Sequence, residues 1–337
     1  MKTQFVKDLK PGSKVESCFA VASKSLASYS PQSSRAGEQY LKVTLTDATG
    51  SIEGRIWDAA EHRSKAFDVD DIVFVTGQVV DFNGLQLTIN KIRRVPKEQV
   101  NLLDYQSSAP RGIEALAAEM ARLRGSIQDP SLSKLLDIIF SDPDLVYRYN
   151  HAPAGRSVHH PYLGGLLDHT LEVARFADLA ASMYPAVINR DLLITGVILH
   201  DIGKIKEYDI SSLTFQLTDR GKLLGHIVMG YEMVSAAIAS LPGGAEAQPW
   251  ATELLHMILA HHGKREWGSP EVPKTMNAFV LFYSDLTSAR YNQFASLIVN
   301  HKDPFSLWTS WDKHLERSVF VGGYGPLSSE TQDTREA

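Results

Sequence analysis

The sequence predicts a multi-domain protein, an all-β barrel at the N-terminus followed by a larger all-α domain. Two observations predict it. Over roughly the first hundred residues, runs rich in Val, Ile, Thr and aromatics are punctuated by turn residues, whereas from Ile113 to about Trp311 apolar positions recur at helical spacing. Between the two halves the chain turns polar, with Gln106-Ser107-Ser108-Ala109-Pro110, as a linker does. The expected boundaries are 1–100 for the barrel, 101–111 for the linker and 112–323 for the helical domain. Residues 324–337 carry little apolar material and are expected to be disordered.

A chain of 337 residues accommodates two such units. Its net charge of −5 excludes a wholesale polyanion binder, although a local basic groove stays open. The one cysteine, Cys18, excludes an internal disulfide framework. The N-terminus shows no charged-then-apolar signal pattern, so a reducing cytoplasm is expected. No apolar run approaches the roughly 20 residues needed to span a bilayer, so no membrane partner is expected.

In chain order, strands are predicted at 14–26, 40–47, 51–57, 72–80 and 85–95. Alternation is clear in Leu41-Lys42-Val43-Thr44-Leu45-Thr46, and Asp47-Ala48-Thr49-Gly50 supplies a turn. A short helix over 60–67 is expected behind Asp58 as its N-cap. On the third strand Ile52, Gly54 and Ile56 share one face; Ser51, Glu53, Arg55 and Trp57 share the other, where Arg55 could pair with and Trp57 stack on a strand of nucleic acid. Three strands, a helix and two strands, with the Val43–Trp57 run and its turn, resemble the OB-folds of anticodon-binding and single-strand-binding proteins. That resemblance implies binding of single strands on strands two and three, between the loops at 27–38 and 81–84.

Beyond the linker, Ile113, Leu116, Ala117, Met120 and Leu123 form a helical stripe, and Pro130 opens a further helix. Polar residues then intrude into apolar stripes. His200-Asp201 ends a run in which Leu193 and Val197 lie on the same helical face as His200, and Gly203 offers a helix stop. His169 shares a face with Leu166, Val173, Phe176 and Ala180; Asp285 follows Ala278, Leu281 and Phe282 at the same spacing. One such residue is ordinarily a satisfied core histidine or acid. Three on separate helices point to a divalent metal, because a buried carboxylate without a partner costs several kcal/mol. Imidazole with carboxylate suits Mn, Fe, Co, Ni or Zn. Just upstream, His159 and His160 could donate to a phosphate, and Gly164-Gly165 could bring backbone amides to a substrate at a helix start. His62, His151, His256, His301 and His314 have no such company and read as structural or exposed.

His169, His200-Asp201 and Asp285 in that order resemble the H…HD…D signature of the HD-domain metal-dependent phosphohydrolases. His226 and the pair His261-His262 resemble the extra histidines of members that bind two ions. The resemblance implies one ion on His169, His200 and Asp285 with Asp201 shared, and a second on Asp201, His226 and one or both of His261 and His262. It implies Asp201 as the bridge at the catalytic centre, and Lys204 as a catalytic cation for phosphoryl charge. Helical geometry alone leaves His261 and His262 about 100° apart and does not choose between them.

Both halves together resemble the YhaM family of bacterial 3′-to-5′ exoribonucleases. The supporting strings are His159-His160…Gly164-Gly165-Leu166…His169, His200-Asp201-Ile202-Gly203-Lys204 with Glu207-Tyr208, and His261-His262-Gly263 with Gly268-Ser269-Pro270. The resemblance implies two divalent ions, Mn²⁺ first with Co²⁺, Fe²⁺ or Ni²⁺ as substitutes, single-stranded RNA or DNA shortened from its 3′ end, and a homo-oligomer. The chain departs from the expected pattern at Asp168, where a glutamate would stand. Two rival readings are a nucleotide phosphohydrolase or cyclic-nucleotide phosphodiesterase, and a non-catalytic single-strand-binding regulator whose metal only stabilises the fold.

Overall fold

The computed structural model describes residues 2–322 apart from 31, 33, 83, 156–159, 302, 304 and 305. His159 and the tail at 324–337 lie outside the described residues.

Five strands, β1 (Lys14–Ser28), β2 (Gln39–Asp47), β3 (Gly50–Ile56), β4 (Ile72–Asp81) and β5 (Leu85–Val95), close into a barrel in the order β1-β2-β3-β5-β4. Alternation places Leu41, Val43 and Leu45 inside with Phe19, Ile52, Ile56, Val75 and Leu87, while Lys42 and Thr44 face outward. Helix α1 (Ala60–Ser64) follows β3, shorter than the expected 60–67. Asp58 does not cap it. Ala59 takes the cap position in a left-handed conformation without a side-chain bond, and the Asp58 carboxylate instead accepts from the Arg35 guanidinium at 3.1 Å.

Among the described residues nine further helices follow: α2 (Ile113–Gly125), α3 (Pro130–Ile139), α4 (Pro143–His151), α5 (Gly165–Met183), α6 (Arg190–Leu199), α7 (Lys204–Glu207), α8 (Asp219–Ala239), α9 (Ala251–Ala260) and α10 (Met276–Val299). Asp129, Asn189, Thr218 and Thr275 accept backbone N–H groups at the starts of α3, α6, α8 and α10, fixing where each begins. Leu166, Leu167, Leu193, Val197, Leu254, Ile258 and Leu281 from α5, α6, α9 and α10 share one core. The metal-type residues sit on its rim. Among the described residues no helix is long and apolar enough to cross a membrane.

The polar segment 101–111 is not a loose tether. Tyr105 is buried with Cys18, Ala20, Ile72 and Val95 of the barrel, and the Ala109 N–H donates to the Leu163 carbonyl ahead of α5. A second attachment comes from the loop between α7 and α8. Leu213 enters the Tyr105 cluster, while the Asp70 carboxylate accepts from the Ser212 hydroxyl at 2.7 Å and the Thr214 N–H at 3.1 Å. The barrel thus rests on the loop that leaves α7, five to seven residues beyond Glu207.

Candidate metal centre and nucleic-acid interface

Asp201 is the hub. It is 3 % exposed, at the turn between α6 and α7, and its two oxygens face opposite ways. Oδ2 lies 3.3 Å from His200 Nε2 and 3.7 Å from His169 Nε2; Oδ1 lies 3.4 Å from His226 Nε2 and 3.6 Å from His261 Nε2. Asp285, from α10, places Oδ1 3.0 Å from His169 Nε2. Four helices and two turns therefore deliver their polar groups to one spot, and both His261 and His262 join it. His262 stands with its ring 5.2 Å from that of His226 and 4.6 Å from that of His261.

The far nitrogens of these rings fix which way each points. His200 Nδ1 meets the Val197 carbonyl at 2.7 Å and His261 Nδ1 meets the Ile258 carbonyl at 2.7 Å. His226 Nδ1 meets the Glu207 carboxylate at 3.1 Å. His169 Nδ1 meets Ser288 Oγ, whose hydroxyl donates in turn to Glu172 at 2.8 Å. Carbonyls and carboxylates only accept, so Nδ1 carries the hydrogen and Nε2 presents a lone pair to Asp201, itself an acceptor. Lone pairs converging at under 4 Å need positive charge between them. Among the described residues, the Nε2 atoms of His200, His226 and His261 and Oδ1 of Asp201 are buried without a hydrogen-bond partner, which is what a cation-binding centre presents.

Electrostatics agree. Burial pushes His169 and His261 below the usual histidine range, and burial with the neighbouring His261 pushes His262 down to about 3, so these rings are neutral at physiological pH. Burial would raise Asp201 and Asp285, but Lys204 and His200 for the first, and His169 for the second, hold both carboxyls below their ordinary value. Burial pulls His200 down, and the Asp201 charge outweighs it and lifts it. That carboxylate attracts whatever positive charge sits there, a proton or an ion. Lys204, buried on α7, holds its ammonium 2.6 Å from Asp201 Oδ2.

Several expected features take another place. Gly203 is not a left-handed helix stop: its φ is −62°, and a Cβ there would stand 2.0 Å from the His226 carbonyl, so its role is to let α7 approach α8. The Gly164 and Gly165 amides are already donated, to the His151 and Tyr162 carbonyls, and a Cβ on Gly165 would stand 2.0 Å from the His160 carbonyl. The pair therefore packs the chain rather than offering donors to a substrate. His160 is buried behind His169, with Nε2 3.5 Å from Glu172. Asp168 accepts from the Tyr162 hydroxyl at 2.8 Å. His151 stacks on Tyr147, and His256 accepts from the Lys274 N–H at 2.9 Å, both structural roles.

Glu207, which meets the His226 ring, and Glu172 and Ser288, which stand behind the His169 ring, were not singled out as site residues in the sequence. Each lies three residues from a site residue on the same helical segment (Lys204, His169, Asp285), and Glu207 also stood in a string that carried the family resemblance, without a role.

On the barrel, Trp57 is joined by Tyr40, ring centroids 4.9 Å apart, and by Tyr29 at 5.7 Å. Arg55 lies 5.4 Å from the Tyr40 ring and 5.5 Å from Trp57, steadied by Glu53, and Arg35 lies 4.7 Å over Tyr29. Phe82, 63 % exposed, extends the group from the β4–β5 turn. Half-buried rings interleaved with arginine make a stacking surface for unpaired bases.

Comparison with known proteins follows the same division. Residues 166–290 match the HD domain family and residues 21–95 match the OB-fold nucleic acid binding domain family. The chain is 35% identical to the 3′-5′ exoribonuclease YhaM of Oceanobacillus iheyensis, covering 76% of this chain and 79% of that one. It is 33% identical to the protein of the same name from Listeria welshimeri, covering 79% and 83%, and 33% identical to that of Bacillus subtilis, covering 76% and 80%.

Proposed function

The chain belongs to the YhaM family of 3′-5′ exoribonucleases and is a metal-dependent 3′-5′ exonuclease acting on RNA, and from that premise we propose how its own residues divide the work. His169, His200 and Asp285 hold one divalent ion, His226, His261 and His262 hold a second, and Asp201 is shared between them. The observation that carries this is the aim of the imidazoles: their Nε2 atoms converge on the two oxygens of one buried carboxylate. Two sets, His169-His200-Asp201 and His226-His261-His262, each gather their ligating atoms within 4.8 Å. Neutral nitrogen with carboxylate oxygen suits Mn²⁺, with Co²⁺, Fe²⁺ or Ni²⁺ as substitutes.

Bound there, divalent ions supply Lewis acidity for hydrolysis of a phosphodiester. Asp201 and Asp285 contribute fixed negative charge. Glu207 keeps His226 in the ligating tautomer, and Glu172 does so for His169 through Ser288. Lys204 balances Asp201 and lies where charge develops on phosphoryl oxygens. The aromatic face of the barrel grips a single strand upstream, of RNA and also of DNA, since stacking reads the base face rather than the 2′-hydroxyl. A barrel fastened to the hydrolytic half favours a polymer over a mononucleotide. Exposed Leu179, Met183, Tyr184 and Val187 at the end of α5 support a homo-oligomer, and the lone free Cys18 is in keeping with a cytoplasmic location.

Incubation of 5′-labelled RNA with Mn²⁺ is expected to give a ladder shrinking from the 3′ end. Hydrolysis of mononucleotides alone would favour a nucleotide phosphohydrolase, and a metal-independent gel shift without cleavage a binding regulator. Glu207→Gln, which removes the charge behind His226 while keeping its shape, is expected to weaken metal binding about 10- to 100-fold in a titration with the circular dichroism spectrum unchanged. Unaltered affinity would show that Glu207 merely packs.

A further inference from the structure

One group of side chains beside the metal centre has no part in holding an ion. The turn after His262 carries Trp267, whose carbonyl meets His262 Nδ1 at 3.3 Å and whose ring is 43 % exposed. The Lys264 ammonium lies 4.6 Å from the centre of that ring. Trp267 packs on Phe282, which is buried on α10 with its ring 6.3 Å away and meets the half-exposed Tyr283 at 4.7 Å in turn. The turn is held firmly: Ser269 donates its hydroxyl to the Glu271 carbonyl at 2.6 Å, and its N–H donates to the Lys264 carbonyl at 3.1 Å. An exposed ring on a fixed turn, with an ammonium alongside, is matched to a base and its phosphate.

Their place along α10 says which base. Asp285 lies near the middle of that helix. Its C-terminal half, at Gln293, Ser296, Leu297 and Asn300, lines a cleft of about 910 Å³ whose other wall includes Asp81 and Gly84 of the β4–β5 turn, on either side of the exposed Phe82. The barrel therefore lies toward one end of α10, and Phe279, Tyr283 and Trp267 toward the other. From Asp285 to Asn300 the helix rises about 22 Å, a separation that several nucleotides of extended strand would span. Measured along α10, Trp267 lies beyond Asp285 from the barrel, against Phe282.

We infer that Trp267, backed by Phe282 and Tyr283 and flanked by Lys264, is the subsite for the base of the 3′-terminal nucleotide, the one that hydrolysis releases. The inference rests on the exonuclease reading and adds a specificity-determining residue to it. It explains why the turn that carries Trp267 is pinned to His262: the stacked base and the ligating ring are then held in one rigid piece, so recognition of a terminal base also registers the scissile bond.

The test uses two 5′-labelled oligoribonucleotides, identical except that the last nucleotide of one is abasic. The unsubstituted protein is expected to remove the intact terminal nucleotide roughly tenfold faster, at subsaturating strand, than the abasic one. Trp267→Ala should shrink that ratio toward one, and Trp267→Phe should retain most of it. If Trp267→Ala slows both strands in proportion, the residue acts only by steadying His262 and the proposal is overturned, as it is if the preference persists unchanged. Binding of both strands to an Asp201→Asn background is measured alongside. Should the unsubstituted protein cleave neither strand, the exonuclease reading fails, and binding decides the subsite: preference for the intact strand that Trp267→Ala abolishes upholds it, and equal binding overturns it.

Discussion

Asp201→Asn is expected to lower RNA degradation by roughly 10³-fold or more, because a centre that supplies several kcal/mol of transition-state stabilisation depends on this carboxylate from both sides. The substitution keeps the volume and one carbonyl oxygen, so packing of the 3 %-exposed side chain changes little. It removes the negative charge toward which His200, His226, His261 and His169 all point. Metal analysis should find the variant depleted of ions, and strand binding on the barrel should persist. Near-normal degradation with the ions verified absent would sink the assignment.

A stability cost accompanies that loss, and it separates two roles of one residue. The Lys204 ammonium, 8 % exposed, rests 2.6 Å from Asp201 Oδ2. Asparagine leaves it buried without a counter-charge, a defect costing about 3–5 kcal/mol. Removing the ammonium as well, in Asp201→Asn with Lys204→Met, is expected to recover much of the stability and none of the activity. The pair therefore tells a folding defect from a chemical one, as a single variant cannot.

Strands and the three polar intrusions at His169, His200-Asp201 and Asp285 were legible for the same reason: each is a violation or a repetition of a period. Leu41, Val43 and Leu45 repeat every second residue, and a buried face follows. His169 and Asp285 break helical stripes that include Leu166 and Leu281, and the break marks a polar site inside an apolar rim. Asp58 and Gly203 were misread because a residue type suggests a local role that tertiary partners override. Asp58 was taken by Arg35, 23 residues away in sequence but adjacent in space, and Gly203 was set by the His226 carbonyl. Glu172 was silent and Glu207 had no role assigned to it for a different reason. An acid on a helix of mixed polarity is ordinary, and only the ring nitrogen facing it gives it meaning. Likewise Tyr29 and Tyr40 meet Trp57 through β1 and β2, a pairing that strand register sets and no local window contains.

The second large effect belongs to that aromatic face. Tyr40→Ala with Trp57→Ala is expected to weaken binding of a long single strand about 10²-fold or more, since stacking contributes about 1–3 kcal/mol per base and two rings are lost. Arg55 would also lose the two rings it lies over, at 5.4 and 5.5 Å, while keeping its bond to Glu53, so its charge would remain and its alignment would relax. The interior of the barrel, built on Phe19, Val43, Ile56 and Leu87, does not include either ring, and the fold should survive. Because the rings lie on the barrel and the ligands on the helices, hydrolysis of a small phosphodiester such as bis(p-nitrophenyl) phosphate should change little while long RNA is degraded far more slowly at low concentration. Loss in equal proportion on both substrates would mean that the rings shape the metal centre through the Tyr105–Leu213 contact. Loss confined to the long strand would place them where single-stranded substrate is gripped before its 3′ end reaches Asp201.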